Sequence, residues 1–363
     1  MKKIQLASPP SSVDHPDTHP ALARRVTSYD VALAAGVSQS AVSRCFKPGA
    51  SVSKDTRNRV MKAAASLDYI PNAAARSLIT RRSNMVAVIM TNMANLYYPE
   101  ALSALSLQLA RQGKRVLLFS LEREADVGRI LPDIWQYQVD GVIAAASLSN
   151  EQVAEFARRQ VPLVVLNRAT RGQPVNSIAC DQQDSSRMLL NRLVAAGHRQ
   201  FGIIDGPADS QLSIERRQIA ISLLSELGLP PAVLVHGRYD YSSGAAGLRE
   251  IVKQLGKVPD AIVCGNDVMA IGCLDCARHE LHIDVPGELS VAGFDAVEPS
   301  NWLSYNLTTL RQPIQKMSQA AADLLCHVID SRDPAPERRI FGAQFIEGAT
   351  ARLLPPPVAA LAA

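Results

Sequence analysis

The chain has 363 residues, of which 47% are hydrophobic and 20% charged, with a formal net charge of +4. That balance is ordinary for a soluble globular protein and leaves room for more than one sizeable core. No apolar run reaches the roughly 18 residues that a membrane span needs, which excludes an integral helical membrane protein.

Residues 1–25 run through Pro9-Pro10-Ser11-Ser12 with no apolar middle region. They are expected to form a disordered tail rather than a secretory signal. Charge then concentrates. From Arg24 to Arg82 there are 11 Lys/Arg against three Asp/Glu, while the rest of the chain is mildly acidic. A basic head on an acidic body suits a phosphate-binding module attached to something that does not touch nucleic acid.

The head reads as three short helices. Thr27 is placed to cap the first, with Asp30 reaching back to the free amides and Val31, Ala32 and Ala35 on one face. Gly36 ends it where a left-handed residue is needed. Ser38 caps the second helix, where Val42, Cys45 and Phe46 point inward and Gln39, Ser40, Ser43 and Arg44 outward. Pro48-Gly49 breaks the chain. Ser53 then caps a third helix with Val60, Ala64 and Leu67 as its buried stripe. This is the pattern of a helix-turn-helix. Arg44 can give two parallel hydrogen bonds to a guanine edge and Gln39 can pair with adenine, while Ser38, Ser43 and Ser53 near helix starts suit phosphates.

From Met85 onward, short apolar runs alternate with helical stretches. Strands are expected at Met85–Met90, Arg115–Ser120, Gly141–Ala146, Pro162–Asn167, Ser177–Asp181, Phe201–Asp205, Val233–His236, Ala261–Asn266 and Ser290–Asp295. Helices are expected at Glu100–Gln112, Ser185–Ala196, Ile214–Leu227, Ser243–Leu255 and Val268–His279. Near-continuous Val/Ile/Leu strands joined by helices indicate doubly wound α/β layers, and the length suits two lobes. Ligands of such sheets bind beyond the carboxyl ends of the strands, which places a cleft between the lobes.

Six cysteines are scattered without a paired framework, which points to a reducing cytoplasm. Cys273 and Cys276 with His279 and His282 have helical spacing, and no second ligand cluster accompanies them. They are read as structural cysteines, with no metal and no cofactor expected.

The stretch Val26–Leu78 resembles, without gaps, the DNA-binding head of the LacI/GalR family of bacterial repressors. The resemblance extends to about Thr350 through Val161–Arg168, Ala196–Arg199, Asn266-Asp267, Val291–Asp295 and Leu307–Pro313. It implies a head domain at residues 26–71, a hinge helix and linker at 72–83, an effector-binding and dimerising body of periplasmic-binding-protein type at 84–350, and a disordered tail at 351–363. Base reading falls on Gln39, Ser40 and Arg44. The hinge falls on Asn72–Ile79, where Asn72 and Arg76 would meet DNA and Leu78 would wedge between base steps in the minor groove. Such a two-turn helix is too short to be stable alone and would fold with DNA and a partner hinge.

For the effector, the resemblance nominates Tyr97 and Tyr98 after the first strand, Asn167-Arg168, Arg216, Tyr239, Asn266 and Asp295. Arg217 is the alternate should the register slip by one, since Ile219 or Ala220 stands where the family has glycine. Plainer roles compete: core aromatics for the tyrosines, caps for Asn266 and Asp295, and ordinary ion pairs for the arginines.

The resulting expectation is a homodimeric, cytoplasmic, sequence-specific repressor of near-palindromic operator DNA. A small effector between the lobes, a sugar or sugar acid before a purine, would set its operator affinity. The alternative is a solute-binding receptor protein without enzymatic activity, which the body alone would permit. An enzyme is disfavoured because no phosphate loop, nucleophile elbow or metalloprotease helix is present.

Overall fold

A computed structural model of the chain describes residues 24–47, 49–72, 82–168, 174–331 and 335–353. The chain divides into two compact units, Met1–Thr80 and Arg81–Ala363. The expected hinge residues Arg76 and Leu78 lie outside the described residues, as do both ends of the chain.

The first unit holds α1 (Ser28–Ala35), α2 (Gln39–Cys45) and α3 (Lys54–Ser66). Gly36 adopts φ 63° between α1 and α2, a left-handed turn that a side chain would strain. The core is small: Val31, Ala32, Ala35, Val42, Cys45, Val60, Ala63 and Ala64 are buried, with Phe46, Leu67 and Tyr69 packed around them. Leu67 is therefore only half-buried, and Ala63 takes its place in the α3 stripe. Arg57 ties the α2–α3 turn together by donating Nη1 to the Cys45 carbonyl at 2.7 Å.

The second unit has two lobes. Lobe one is a six-stranded parallel sheet in the order β11-β5-β4-β3-β1-β2. Its strands are β1 (Met85–Thr91), β2 (Arg115–Leu121), β3 (Gly141–Ala145), β4 (Leu163–Leu166), β5 (Asn176–Cys180) and β11 (Arg338–Phe341). Helices α4 (Tyr97–Arg111), α5 (Val127–Gln136), α6 (Asn150–Arg158) and α11 (Ile314–Asp330) accompany it. Central strands β3 and β4 are buried along their whole length, whereas edge strand β2 alternates with exposed positions.

Lobe two carries a four-stranded parallel sheet in the order β7-β6-β8-β9. These strands are β6 (Phe201–Asp205), β7 (Val233–His236), β8 (Ala261–Cys264) and β9 (Ser290–Ala292). The helices are α7 (Gln182–Ala195), α8 (Gln211–Glu226), α9 (Tyr241–Leu255) and α10 (Asp267–Asp275), which runs into one π turn over Cys276–Glu280. An antiparallel pair, β10 (Thr309–Arg311) with β12 (Gln344–Ile346), completes the lobe.

The chain crosses between lobes three times: after β5, after β10 and after β11. Helix α11 thus returns to lobe one, where Ile314, Met317, Ala321, Leu325 and Ile329 join the core built on β1 and α4. At roughly 1.5–3 kcal/mol for each fully buried large aliphatic side chain, α11 fastens the return crossing firmly. Beyond β12, Ala351 is buried and Leu353 packs against the lobe-two core. At the other end Ser83 donates its amide to Asp140 at 2.7 Å, and Arg82 donates to the Ile329 carbonyl at 2.9 Å.

Candidate functional site

Two sets of residues bear on function, one in each unit. In the first unit, Asp30 accepts from the Thr27 amide at 2.8 Å and so fixes the start of α1. Ser38 Oγ accepts from the Ala41 amide and Ser53 Oγ from the Thr56 amide, each at 3.2 Å, so both serines are caps. Capping holds the two helix starts rigid and leaves backbone amides there to face an anion. Ser40, Ser43 and Arg44 are exposed together on α2. Gln39 is half-buried and donates Nε2 to Ser28 Oγ at 3.2 Å, which orients it from α1. None of the four is packed in the core, so α2 presents a polar, cationic face held by Val42 and Cys45 beneath.

In the second unit the nominated residues gather where strands of both lobes end. Asn167, Tyr239 and Asp295 all have left-handed backbones, with φ 54°, 62° and 108°. Non-glycine residues in such conformations store strain and cluster at binding sites. Asn167 donates Nδ2 to Gln312 Oε1 at 2.8 Å and accepts from the Cys180 amide at 3.2 Å. Gln312 in turn donates to Asp295 Oδ1 at 2.7 Å. Arg216 donates Nε to Gln182 at 2.8 Å and Nη1 to the Gly265 carbonyl at 2.7 Å, and lies over the Phe294 ring at 3.4 Å. Its Nη2 stands 3.8 Å from Asp295 Oδ1, too far for a hydrogen bond. Arg217, the alternate, instead pairs with Asp205 at 2.9 Å. The structure therefore brings Arg216, not Arg217, to Asp295.

Tyr97 and Tyr98 begin α4 rather than precede it, and both are buried with their rings edge to face at 5.4 Å. Pro99 falls in the first turn of α4, where its missing N–H has no intrahelical partner to lose. Tyr97 Oη accepts from Asn167 at 3.4 Å and Tyr98 Oη from Arg168 Nη2 at 2.6 Å. Their inner faces thus belong to the lobe-one core while their hydroxyls belong to the junction. Arg168 also donates Nε to Glu124 at 2.7 Å and Nη1 to the Asn167 carbonyl at 2.9 Å. Burial opposes its charge, but Tyr98 and Glu124 outweigh burial and hold its pKa above the ordinary arginine value. Asn266 is committed to structure: its Oδ1 caps α10 through the Met269 amide at 3.0 Å, and its Nδ2 holds the Tyr239 carbonyl at 3.2 Å. It positions Tyr239. That ring in turn lies so close over Gly206 that a Cβ there would meet its Cζ at 2.1 Å.

Burial pushes the Asp295 carboxyl up to about 6 against the pull of Arg216. Neighbouring Asp267 is pushed up to about 8, by burial first and the Asp295 charge second. Asp267 accepts from Thr309 Oγ1 at 2.5 Å and the Val297 amide at 2.8 Å, and so ties α10 to strand β10 and to the loop after β9. Four buried side-chain atoms among the described residues have no partner: Glu124 Oε2, Ser147 Oγ, Arg216 Nη2 and Tyr239 Oη. A buried polar atom without a partner is costly, and a cluster of them marks where something else is meant to bind.

Comparison with known proteins bears on both units of the chain. A model for bacterial regulatory proteins of the lacI family matches residues 27–72, and one for a periplasmic binding protein-like domain matches residues 190–351. The HTH-type transcriptional regulator AscG of Escherichia coli (strain K12) is 30% identical over 326 residues, covering 87% of this chain and 96% of AscG. The chain belongs to the lacI family of bacterial regulatory proteins. Two solved relatives extend the comparison. The lac repressor dimer bound to operator and an anti-inducer has a TM-score of 0.82 and 27% identity, covering 90% of this chain and 99% of that one. A complex of the transcriptional regulator CelR with cellobiose has a TM-score of 0.68 and 25% identity, covering 90% and 100%. This lacI-family member is thus a DNA-binding transcriptional regulator with a helix-turn-helix head and a two-lobed body.

The sequence alone pointed to neither Glu124, Ser147, Gln182 nor Gln312 as a site residue. Gln312 lies within the recognisable Leu307–Pro313 stretch, which was its one available signal. Glu124 begins a short 3-10 turn (Glu124–Asp126) and Ser147 sits in the loop after β3, neither with a motif, and only the tertiary fold places them at the junction. Cys273 and Cys276 are buried, and among the described residues no three His, Cys, Asp or Glu groups are placed to hold a metal ion.

Proposed function

We propose that the chain is a homodimeric repressor, working in the cytoplasm, whose operator affinity is set by a sugar or sugar acid held between its lobes. The observation that carries this reading is the set of unpartnered atoms at the lobe junction. Arg216 Nη2 is a donor 3.8 Å from an acceptor, Asp295 Oδ1. Adjacent hydroxyls of a sugar supply the complement, one accepting from the guanidinium and one donating to the carboxylate. Tyr239 Oη adds a further polar contact on an aromatic wall. The solved CelR complex holds cellobiose, which supports a sugar at this site.

The head comprises residues 26–71, the hinge and linker 72–83 and the body 84–350. Ser38, Gln39, Ser40, Ser43, Arg44 and Ser53 contact DNA, with Asn72, Arg76 and Leu78 added from the hinge. Two heads occupy the half-sites of a near-palindromic operator, in keeping with the dimer seen for the lac repressor. Exposed Trp302 and Leu303 in lobe two give a second copy an apolar surface to cover. Effector binding acts by differential affinity for two lobe arrangements and catalyses nothing. Footprinting of the purified protein on its own upstream DNA, with and without a sugar panel, tests this. Protection that no panel member alters, with no effect on the unfolding temperature, would defeat the effector reading.

A further inference from the structure

At the end of lobe one away from the junction, three parallel strands begin at a single carboxylate. Asp140 stands just before β3, Asn84 just before β1 and Lys114 just before β2, and these strands are neighbours in the order β3-β1-β2. Asp140 Oδ1 accepts from the Ser83 amide at 2.7 Å and from Ser83 Oγ at 3.0 Å. Its Oδ2 accepts from the Asn84 amide at 3.1 Å and from Lys114 Nζ at 2.8 Å. The Asp140 side chain is 3% exposed. Asn84 has a left-handed backbone, φ 55°, so the chain turns sharply where it is caught. Arg82, one residue before Ser83, donates to the Ile329 carbonyl near the end of α11. Gly141, one residue after Asp140, lies so close to that helix that a Cβ would meet Leu325 Cδ1 at 2.9 Å. A buried ion pair adds little net stability, because apolar packing of similar volume does as well. What four donors on one carboxylate add is direction: they fix where, and at what angle, residues 82–84 enter the body.

We propose that Asp140 is a positioning residue for operator binding, holding the point where the linker joins the body so that the two heads of a dimer reach their half-sites together. This rests on the reading of the chain as a dimer on a near-palindromic operator. Asp140 itself needs no contact with DNA. A head tethered to a fixed origin searches a small volume, so once one half-site is bound the second is met at high effective concentration. Freeing residues 82–84 lengthens each tether and loosens its direction. That dilutes the effective concentration and leaves each head's own grip on a half-site unchanged.

The test uses the full chain, a palindromic operator that it selects from randomised DNA, and a fragment carrying one half-site. The readout is the ratio of the two affinities, at a temperature where the body is folded. Asp140→Asn keeps the shape, but its amide nitrogen must face either Ser83 or the Asn84 amide and Lys114, donor against donor. Its preference for the full operator is expected to fall about tenfold, with half-site affinity unchanged. Lys114→Met is the control. It breaks the ion pair and destabilises the body, yet leaves Asp140 its bonds to Ser83 and Asn84, so it is expected to keep the wild-type ratio. An unchanged ratio in Asp140→Asn overturns the inference and leaves the dimer reading standing. So does an equal fall in Lys114→Met, or a loss shared by the half-site, because either would reduce Asp140 to a stabilising residue. A wild type with no preference for the full operator overturns both. Should Asp140→Asn fold poorly, Ser83→Ala loosens the same attachment by removing one of its bonds, with an expected fall in the ratio of about threefold. An unchanged ratio there overturns the assignment.

Discussion

The recognition helix of the head and the lobe junction of the body solve opposite problems. On α2 the side chains proposed to read DNA are exposed or half-buried, and their geometry is borrowed from a few small buried residues and the capping serine Ser38. At the junction the working side chains are themselves buried, and they hold one another. Arg168, Glu124 and Tyr98 form one such chain, and Asn167, Gln312 and Asp295 another. Removing a side chain from α2 should therefore cost binding and little stability. Removing one from the junction should cost stability as well, because each deletion strands a buried partner.

The largest expected effect that separates the two regions is with pH. In the unfolded chain Asp267 and Asp295 lose their protons near the ordinary value of 3.8, whereas in the folded body they hold them to about 8 and about 6. Over that window the folded state binds more protons, so stability falls as pH rises. The contribution is fully present below pH 4 and is lost once pH passes about 8. Urea unfolding of the body between pH 5 and pH 9 measures it, and Asp267→Asn should flatten the slope. A body that grows more stable across this range would contradict the burial argument. The head contains no such buried carboxyl among its described residues.

Arg168→Ala comes next. Its side chain is 2% exposed and its loss leaves Glu124 and Tyr98 facing a void. Breaking a buried, hydrogen-bonded ion pair by deleting one partner typically costs about 3–5 kcal/mol. The urea midpoint of the body's transition should drop accordingly. A change under about 1 kcal/mol would mean that water repairs the site, and the junction would then resemble a surface more than a core.

Arg44→Ala is the counterpart on α2. Its stability effect should stay within about 0.5 kcal/mol, as for an exposed side chain with no structural partner. Its operator affinity should fall by about 1–3 kcal/mol if it reads a base edge, with non-operator DNA little affected. Equal losses on both DNAs would reassign Arg44 to phosphate. Operator affinity of the unaltered protein should also fall steeply with salt, as expected of a head that carries the chain's basic excess.

How much of this was legible in the sequence differs between the two regions for the same physical reason. The head is built from local signals: Thr27 with Asp30, Gly36, Ser38 and Ser53 each specify a helix end within a few residues. In the body the same held for strands with clear flanks. Phe201–Asp205 and Val233–His236 have the ends read from their apolar runs. It failed where tertiary contacts decide. The pair β10 and β12 joins segments more than 30 residues apart through three partner positions, and β11 pairs with β5 from across the other lobe. Helix α4 begins at Tyr97 although Pro99 invites a break there. The nominated junction residues converge because strand ends converge, but Asn266 turned out to be a cap. Glu124 and Ser147 carry no local signature at all. Their role comes from which atoms are left without partners once the two lobes meet.

The smallest expected effect sharpens the comparison at its exposed end. Ser53→Ala removes the acceptor for the Thr56 amide and so frays the first turn of α3. Loss of a serine cap costs about 1 kcal/mol. In a head whose buried core is mostly alanine and valine, that loss is a sizeable fraction of the whole. Stability of residues 26–71, followed by hydrogen exchange of the α3 amides in the full chain, should fall by this amount while the body's exchange is unchanged. If operator affinity falls by more than the loss of folded head explains, Ser53 also touches phosphate. If it falls by no more, the serine's role is to hold α3 in place, and phosphate contact belongs to the exposed residues of α2.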